Sequence, residues 1–320
     1  MWFKNLHIYR VPAPWAIALH ELEEALAKRQ FTPCTELEHA SQGWTQPCGG
    51  DQLVYEKNRQ IMIKIKTEKK LLPTSVVNRV AQEAADKMAQ EQGFKPGRNQ
   101  MKEIKERVTD ELLPRAFCTP SFTGIWIDPI NGWLVIDAAS ASTADDAIKL
   151  LLKSVESMPL QSLRTTNAPL TAMTGWLAAD EAPENFSIDQ DSELKATGSG
   201  AATVRYLNQS LDADDMRRHI AAGKQCTKLA MTWADRISFV LTEALTIKRI
   251  SALDIIKTDE LAANDIDESF DADFVLMTGE LNRMLANIVA ALGGERTEQT
   301  DLVQELAKQK TEIKIIGATV

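Results

Sequence analysis

The stretch 122–137 constrains the fold more than any other part of the chain. Two apolar runs, 122–127 and 133–137, flank Asp128-Pro129-Ile130-Asn131-Gly132. Asn-Gly between apolar runs predicts a tight hairpin, because those residues reach the left-handed turn conformation at least cost. A second hairpin is predicted from Tyr55 and residues 61–66. There Ile61, Ile63 and Ile65 alternate with Met62, Lys64 and Lys66, so two lysines stand on the face opposite the isoleucines. Residues 227–232, 237–241 and 245–250 read as an antiparallel meander, and residues 2–10 as a further strand. Strands joined this tightly pair antiparallel, whereas a doubly wound sheet needs crossover helices between parallel strands. The expected class is α+β, antiparallel sheets with packed helices.

Helical spacing fills the gaps between the strands. Residues 14–29 place Ala16, Leu19, Leu22, Ala25 and Leu26 on one side. Thr74 or Ser75 is positioned to cap a helix whose stripe is Val77, Val80, Ala81, Ala84 and Met88. Gly93, Pro96 and Gly97 break it, and a second helix carries Met101, Ile104, Val108 and Leu112 as far as Pro114. Two such helices side by side make a projecting hairpin roughly 25 Å long. Further helices are predicted over 143–157, over 212–222, and from Asp271 or Asp273 to Gly293-Gly294. Residues 180–200 are polar and read as a loop-rich connection, 254–269 as an acidic connection, and 295–320 as an appended tail.

At 320 residues the chain is long enough for two or three lobes. Its net charge of −9, taken as a whole, argues against a polyanionic partner. The distribution matters more, because exposed charges are screened beyond about 10 Å. Residues 64–115 carry twelve Lys/Arg against eight Asp/Glu, while residues 251–301 hold twelve acids and three bases. A basic sector inside an acidic molecule can hold a polyanion on one surface and repel it elsewhere, although ordinary solvated faces give the same numbers.

Motifs for chemistry are sparse. The opening MWFKNLHIYR has no signal-peptide core, and no apolar run is long enough for a membrane span, so neither secretion nor membrane insertion is indicated and a cytoplasmic location is expected. Cys34, Cys48, Cys118 and Cys226 have no CxxC spacing and are expected to be free buried thiols without a metal or disulfide. His7, His20, His39 and His219 are scattered, and His7 is expected to be a partly exposed sheet residue. Gly198-Ser199-Gly200 lacks the context of a phosphate loop. Asp128 and Asp137, at the two ends of one hairpin, are the best enzymatic candidates, a Mg²⁺-binding pair for phosphodiester cleavage. Turn and strand-end chemistry explains both acids more simply. No catalytic residue and no cofactor is therefore assigned. Leu112-Leu113-Pro114-Arg115-Ala116-Phe117 allows two readings: a helix end tucked into the core, or an apolar subunit contact with Arg115 free for phosphate.

Several segments, in order, resemble the RdgC family of recombination-associated proteins. They are Trp2-Phe3-Lys4-Asn5-Leu6, Phe31-Thr32-Pro33-Cys34, Gly43-Trp44, LLPRAF ending at Phe117, and Trp126-Ile127-Asp128 with Asn131-Gly132. Ala222-Gly223-Lys224 leading into Thr227-Lys228-Leu229-Ala230 follows, then FDADFVLMTGEL from Phe270 to Leu281. The resemblance spans residues 1 to about 295. It implies a non-enzymatic, ring-shaped homodimer that encloses double-stranded DNA without sequence preference. It also implies antagonism of the RecA recombinase, by limiting its access to DNA in recombination and replication-fork repair. The expected organisation is a central domain (1–72 and 115–180), a finger (73–114) and a base domain (181–295), with 296–320 an appended tail that has no counterpart in the family; nucleoid association goes with the resemblance. Phe117 matches the family's aromatic at one subunit contact, with Leu112 and Leu113 beside it. Lys64, Lys66, Lys69, Lys70 and Arg115 are candidate DNA-binding cations by their place in the basic sector. The second contact falls at Asn208-Gln209, where Gln209 is kept but Asn208 replaces the family's lysine, a change that could weaken binding or move the charge to Arg205. Two other classes remain open: a protein scaffold acting on the recombinase without touching DNA, and the Asp128–Asp137 nuclease.

Overall fold

The structure is a computed structural model that describes residues 2–15, 17–156, 158–196, 202–208, 213–253 and 266–296. The described strands form one antiparallel sheet. Its path runs β2 (Ala40–Thr45), β4 (Gln60–Lys70), β5 (Cys118–Asp128), β6 (Trp133–Asp137), β1 (Leu6–Arg10), β12 (Ile247–Ala252), β11 (Ile237–Thr242), β10 (Lys224–Trp233), β8 (Phe186–Ala196) and β9 (Thr203–Tyr206). Short β3 (Val54–Lys57) also pairs with β4, and β7 (Gln161–Ser162) with β1. The first five strands of the path join the rest through β1 and β12 at a single register pair, Leu6 with Ile247.

Both predicted hairpins are present. Ile61, Ile63 and Ile65 pair with Ile127, Ile125 and Thr123. Gly132 closes the β5–β6 turn at φ 73, where a Cβ would stand 2.5 Å from the Val11 carbonyl oxygen. The meander is β10–β11–β12. Residues 186–196, expected as part of a loop, are instead the eleven-residue strand β8 along β10. Its side chains are mostly polar and only Ser192 and Leu194 are buried, so neither an apolar run nor a clean alternation betrays it.

Helices cover both faces of the N-terminal half. On one face, α1 (Leu19–Ala27) contributes Leu22 and Leu26, and α4 (Ala141–Ser154) contributes Ala144, Ala147 and Leu151. They close over Ile61, Ile63, Ile65, Ile125 and Ile127. On the other face, Met62, Trp126, Trp133 and Val135 meet Phe274, Met277 and Leu281 of the last helix, α7 (Ile266–Ala291). Two covered faces explain why β6 reads as a continuous apolar run rather than an alternating one. They also bury His7 at 8% exposure, against expectation, and that burial lowers its pKa. Helix α5 (Pro169–Ala179) buries Met173 and Leu177 in the same core as α7 and β10. The short α6 (Ala213–Ala221) lies near the predicted 212–222.

Helix α7 starts earlier than the sequence indicates and ends as expected, with Gly293 and Gly294 both at positive φ. It spans the two halves of the sheet. Trp133 Nε1 donates to Asn282 Oδ1 at 2.9 Å on one side, and Trp233 Nε1 to Asn287 Oδ1 at 2.8 Å on the other.

Residues 74–112 form α2 (Thr74–Gln92) and α3 (Arg98–Leu112). Val77, Ala81 and Ala85 meet Ile104 and Val108 in a core separate from the other two. The predicted cap is corrected: Pro73 holds the N-cap position and neither Thr74 nor Ser75 caps with its side chain. Pro114 does not end the chain's turn at once, because residues 113–115 continue as a 3-10 turn (Leu113–Arg115).

Gly43 in β2 is a point of close approach. A Cβ there would fall 2.4 Å from Phe31 Cα and 2.5 Å from Phe31 N, backbone atoms that cannot swing aside. Gly43→Ala is expected to cost about 1–3 kcal/mol through overpacking. Urea unfolding reads it, and an unchanged midpoint would mean that the Phe31 backbone moves freely.

Candidate nucleic-acid interface

Strand β4 carries four of the five predicted cations, Arg115 standing in the turn before β5, and its register decides where each lysine stands. Lys64, Lys66, Glu68 and Lys70 pair with Gly124, Phe122, Pro120 and Cys118 of β5. By alternation they share a face with Met62 and Trp126. Helix α7 covers that face at Met62 and Trp126; farther along, Phe122 is 59% exposed. Lys69 is one residue out of phase and belongs to the isoleucine face, so the β4 lysines are not one row.

Aromatic rings and carbonyls hold the lysines of this face. Lys66 Nζ lies 4.2 Å from the centre of the Phe31 ring and 3.4 Å from Glu68 Oε1. Lys64 Nζ lies 5.9 Å from the Phe122 ring and donates to the Pro47 carbonyl. Half-buried, Lys64 has its pKa lowered by desolvation. Lys70 Nζ donates to the Glu36 carbonyl oxygen at 2.6 Å. Lys69 and Arg115 are exposed, with no ion pair among the described residues. The Phe31 and Phe122 rings are partners that sequence reasoning missed. Pairing Phe122 with Lys66 requires the β4–β5 register, which joins residues 56 positions apart.

Just past the β4–β5 ladder the chain turns apolar. Phe117 is 83% exposed and Leu71 59%, and the Leu71 N–H donates to the Phe117 carbonyl oxygen at 2.7 Å. Of the two readings of LLPRAF, the tucked-in one holds for Leu113 and the exposed one for Phe117. Leu113 is 1% exposed and packs inside its own chain. Leu112 is partly buried against the α2–α3 seam.

Comparison with known proteins gives the chain its relatives. The model of the RdgC family, described as "Putative exonuclease, RdgC", matches residues 1–295. A protein of Janthinobacterium sp. (strain Marseille), called recombination-associated protein RdgC, is 60% identical over 297 residues, covering 92% of this chain and 99% of its own. The protein of that name from Herminiimonas arsenicoxydans is 60% identical over 301 residues, covering 93% of this chain and 100% of its own. That from Bordetella pertussis is 55% identical over 297 residues, covering 92% of this chain and 99% of its own. The chain belongs to the RdgC family.

The family description names an exonuclease, but the expected Asp128–Asp137 metal pair is corrected. Asp128 lies opposite Trp133, and Asp137 is four residues farther along β6, about 13 Å away at the rise of a strand. Both carboxylates are occupied. Asp128 is fully buried and accepts the backbone N–H groups of Ile130 and Asn131, each at 2.9 Å, and the Asn131 side-chain amide. Asp137 Oδ1 accepts the N–H groups of Lys4 at 3.1 Å and Asn5 at 2.8 Å. Burial raises its pKa, with those two donors acting against it. The two acids shape a turn and tie down the N-terminus, and cannot share one Mg²⁺ ion.

The second predicted contact lies across the sheet on β8 and β9. Asn208 is exposed at φ 52, with its N–H donating to Asp191 Oδ1 at 2.9 Å; Gln209 lies outside the described residues. Arg205, the other candidate for the charge at this contact, is ion-paired. Its Nε lies 2.6 Å from Glu193 Oε2, which also takes Lys228 at 3.1 Å. Burial works against the Glu193 carboxylate, yet hydrogen bonds from Lys228, Arg205 and Thr227 hold its pKa below the usual value. Among the described residues no helix is long and apolar enough to cross a membrane.

Proposed function

We propose that this member of the RdgC family binds double-stranded DNA without sequence preference. In this reading it acts as a ring-shaped homodimer and limits the access of RecA to DNA during recombination and replication-fork repair. The observation that carries it is the part of the β4–β5 face where Lys66 and Lys64 stand over the Phe31 and Phe122 rings. Cations held this way can meet phosphates without being ordered first, and none of these contacts reads a base. The relatives' name, recombination-associated protein, favours a nucleic-acid role over a scaffold that never touches DNA. Phe117, exposed just past the end of the β4–β5 ladder, supplies one subunit contact, with Leu112 beside it and Asn208 at the other. Helices α2 and α3 form the projecting finger, residues 1–72 and 115–180 the central domain, residues 181–295 the base, and the protein sits on the nucleoid.

The test is binding to short, unrelated duplexes at several salt concentrations. Equal affinities are expected across sequences, falling steeply with salt as counterions are released. Lys66→Ala and Lys69→Ala are each expected to lower the log–log salt slope by about one and to weaken all sequences equally. Tighter retention on closed circles than on linear duplex of equal length is expected of a ring. Absence of binding at low salt would leave the scaffold as the better account, and sequence-dependent affinities would exclude backbone recognition.

A further inference from the structure

Cys34, Glu68 and Cys118 come from three separate segments and converge beside the lysine face. Their Sγ, carboxylate and Sγ atoms all lie within 4.8 Å of one another, the one such group of potential metal ligands among the described residues. Cys118 opens β5 opposite Lys70, which makes Glu68 its diagonal neighbour across the β4–β5 ladder. Cys34 lies against the same ladder. Its N–H donates to Glu68 Oε2 at 3.2 Å, and its thiol to the Glu68 carbonyl oxygen at 3.5 Å. The carboxylate is thus oriented from two sides, because Lys66 holds its other oxygen at 3.4 Å.

We propose that these three side chains form a binding site for a soft, thiolate-preferring divalent cation of the Zn²⁺ class. Tetrahedral Zn²⁺ with two thiolates and a carboxylate sets its donors about 3.3–3.8 Å apart, a closure of roughly 1 Å that side-chain rotation supplies. Three protein donors leave one coordination position, and it opens to solvent because Cys118 is exposed. Binding converts two thiols to thiolates and releases two protons, with no change of oxidation state. The alternative for a close cysteine pair, a disulfide, gives no reason for the orientation of Glu68. Carboxylate and thiolates together favour Zn²⁺ over the oxygen-seeking Mg²⁺ and Ca²⁺. The site clamps the segment at Cys34 to the start of β5, next to Phe117. It does not depend on the DNA-binding reading.

Cobalt(II) reports the site directly, since tetrahedral cobalt–thiolate complexes absorb light. It is titrated into the full chain, kept reduced by a non-thiol reductant. One equivalent is expected to develop a thiolate-to-metal charge-transfer band that Zn²⁺ abolishes by displacement. Cys34→Ser and Cys118→Ser each remove the band, whereas Cys48→Ser and Cys226→Ser retain it. Glu68→Gln weakens cobalt binding by about tenfold or more. Circular dichroism of the metal-free variants separates loss of the site from loss of the fold, and Cys118→Ser, exposed, is expected to fold normally. No band with the folded wild-type chain, or a band that survives both Cys34→Ser and Cys118→Ser, overturns the proposal. So does a Cys34–Cys118 disulfide forming in air in a protein whose reduced form takes up no metal.

Discussion

If the chain forms the proposed ring-shaped dimer, Phe117→Ala is expected to leave the stability of the isolated fold within about 0.5 kcal/mol, yet to weaken subunit association by about 2 kcal/mol or more, roughly thirtyfold. The two effects separate because the ring is 83% exposed in the single chain and supports almost nothing there. A phenylalanine in a core costs about 3–5 kcal/mol on truncation, since atoms and cavity are both lost. On an exposed ring that cost appears only when a partner covers it. Leu71, 59% exposed, is its immediate apolar neighbour. Sedimentation over a range of concentrations measures the association, and urea unfolding measures the fold. DNA affinity is expected to fall in parallel, because half a ring offers half the phosphate contacts and no enclosure. Unchanged association would remove Phe117 from the interface, and an unfolded variant would contradict its exposure.

Phe274→Ala is expected to act in the opposite manner, destabilising the fold itself by about 3–5 kcal/mol. Phe274 is 2% exposed and packs edge-on to the Tyr55 ring, centroids 5.2 Å apart. One turn back, Phe270 meets the same Tyr55 ring at 5.0 Å, and Asp271 takes the Tyr55 hydroxyl and Lys57, the latter at 2.6 Å. This end of α7 therefore seats on β3, while Asn282 and Asn287 fasten it to tryptophans of both halves of the sheet. Arg236 grips Glu280, between the Phe274 seat and those asparagines, through two bonds of 3.0 and 2.8 Å. Loosening the seat exposes apolar surface on both halves, so one cooperative transition with a lower urea midpoint is expected. Ala272→Ser, on the exposed side of the same turn, should shift it by less than about 0.5 kcal/mol. Two separated transitions would show that α7 does not couple the halves.

What could be read from the chain follows its periodicity. Ile61, Ile63 and Ile65 announce β4, Asn131-Gly132 announces the turn into β6, and the Val77 and Ile104 stripes announce α2 and α3. Each signal is local, a matter of which face of one element avoids water. Strand β8 escapes because it hides little apolar surface. Helix α5 escapes because apolar residues occupy most of its length and leave no stripe to recognise. His7 escapes because nothing in its own strand says that a helix layer lies above it.

The candidate sites divide along the same line. Sequence alone determined the antiparallel α+β class, the basic sector with its acidic flank, and an ordered set of motifs specific enough to imply the RdgC family. Each rests on residues close together in the chain or on order along it. Tertiary structure decided what each side chain is free to do. It buried Leu113 and exposed Phe117 four residues later, bound Arg205 to Glu193, and set Asp128 and Asp137 too far apart to share a metal ion. It also brought Cys34 to Cys118 across 84 positions of sequence. Register and layer packing join residues that are remote in the chain, and a single sequence records no distance between them.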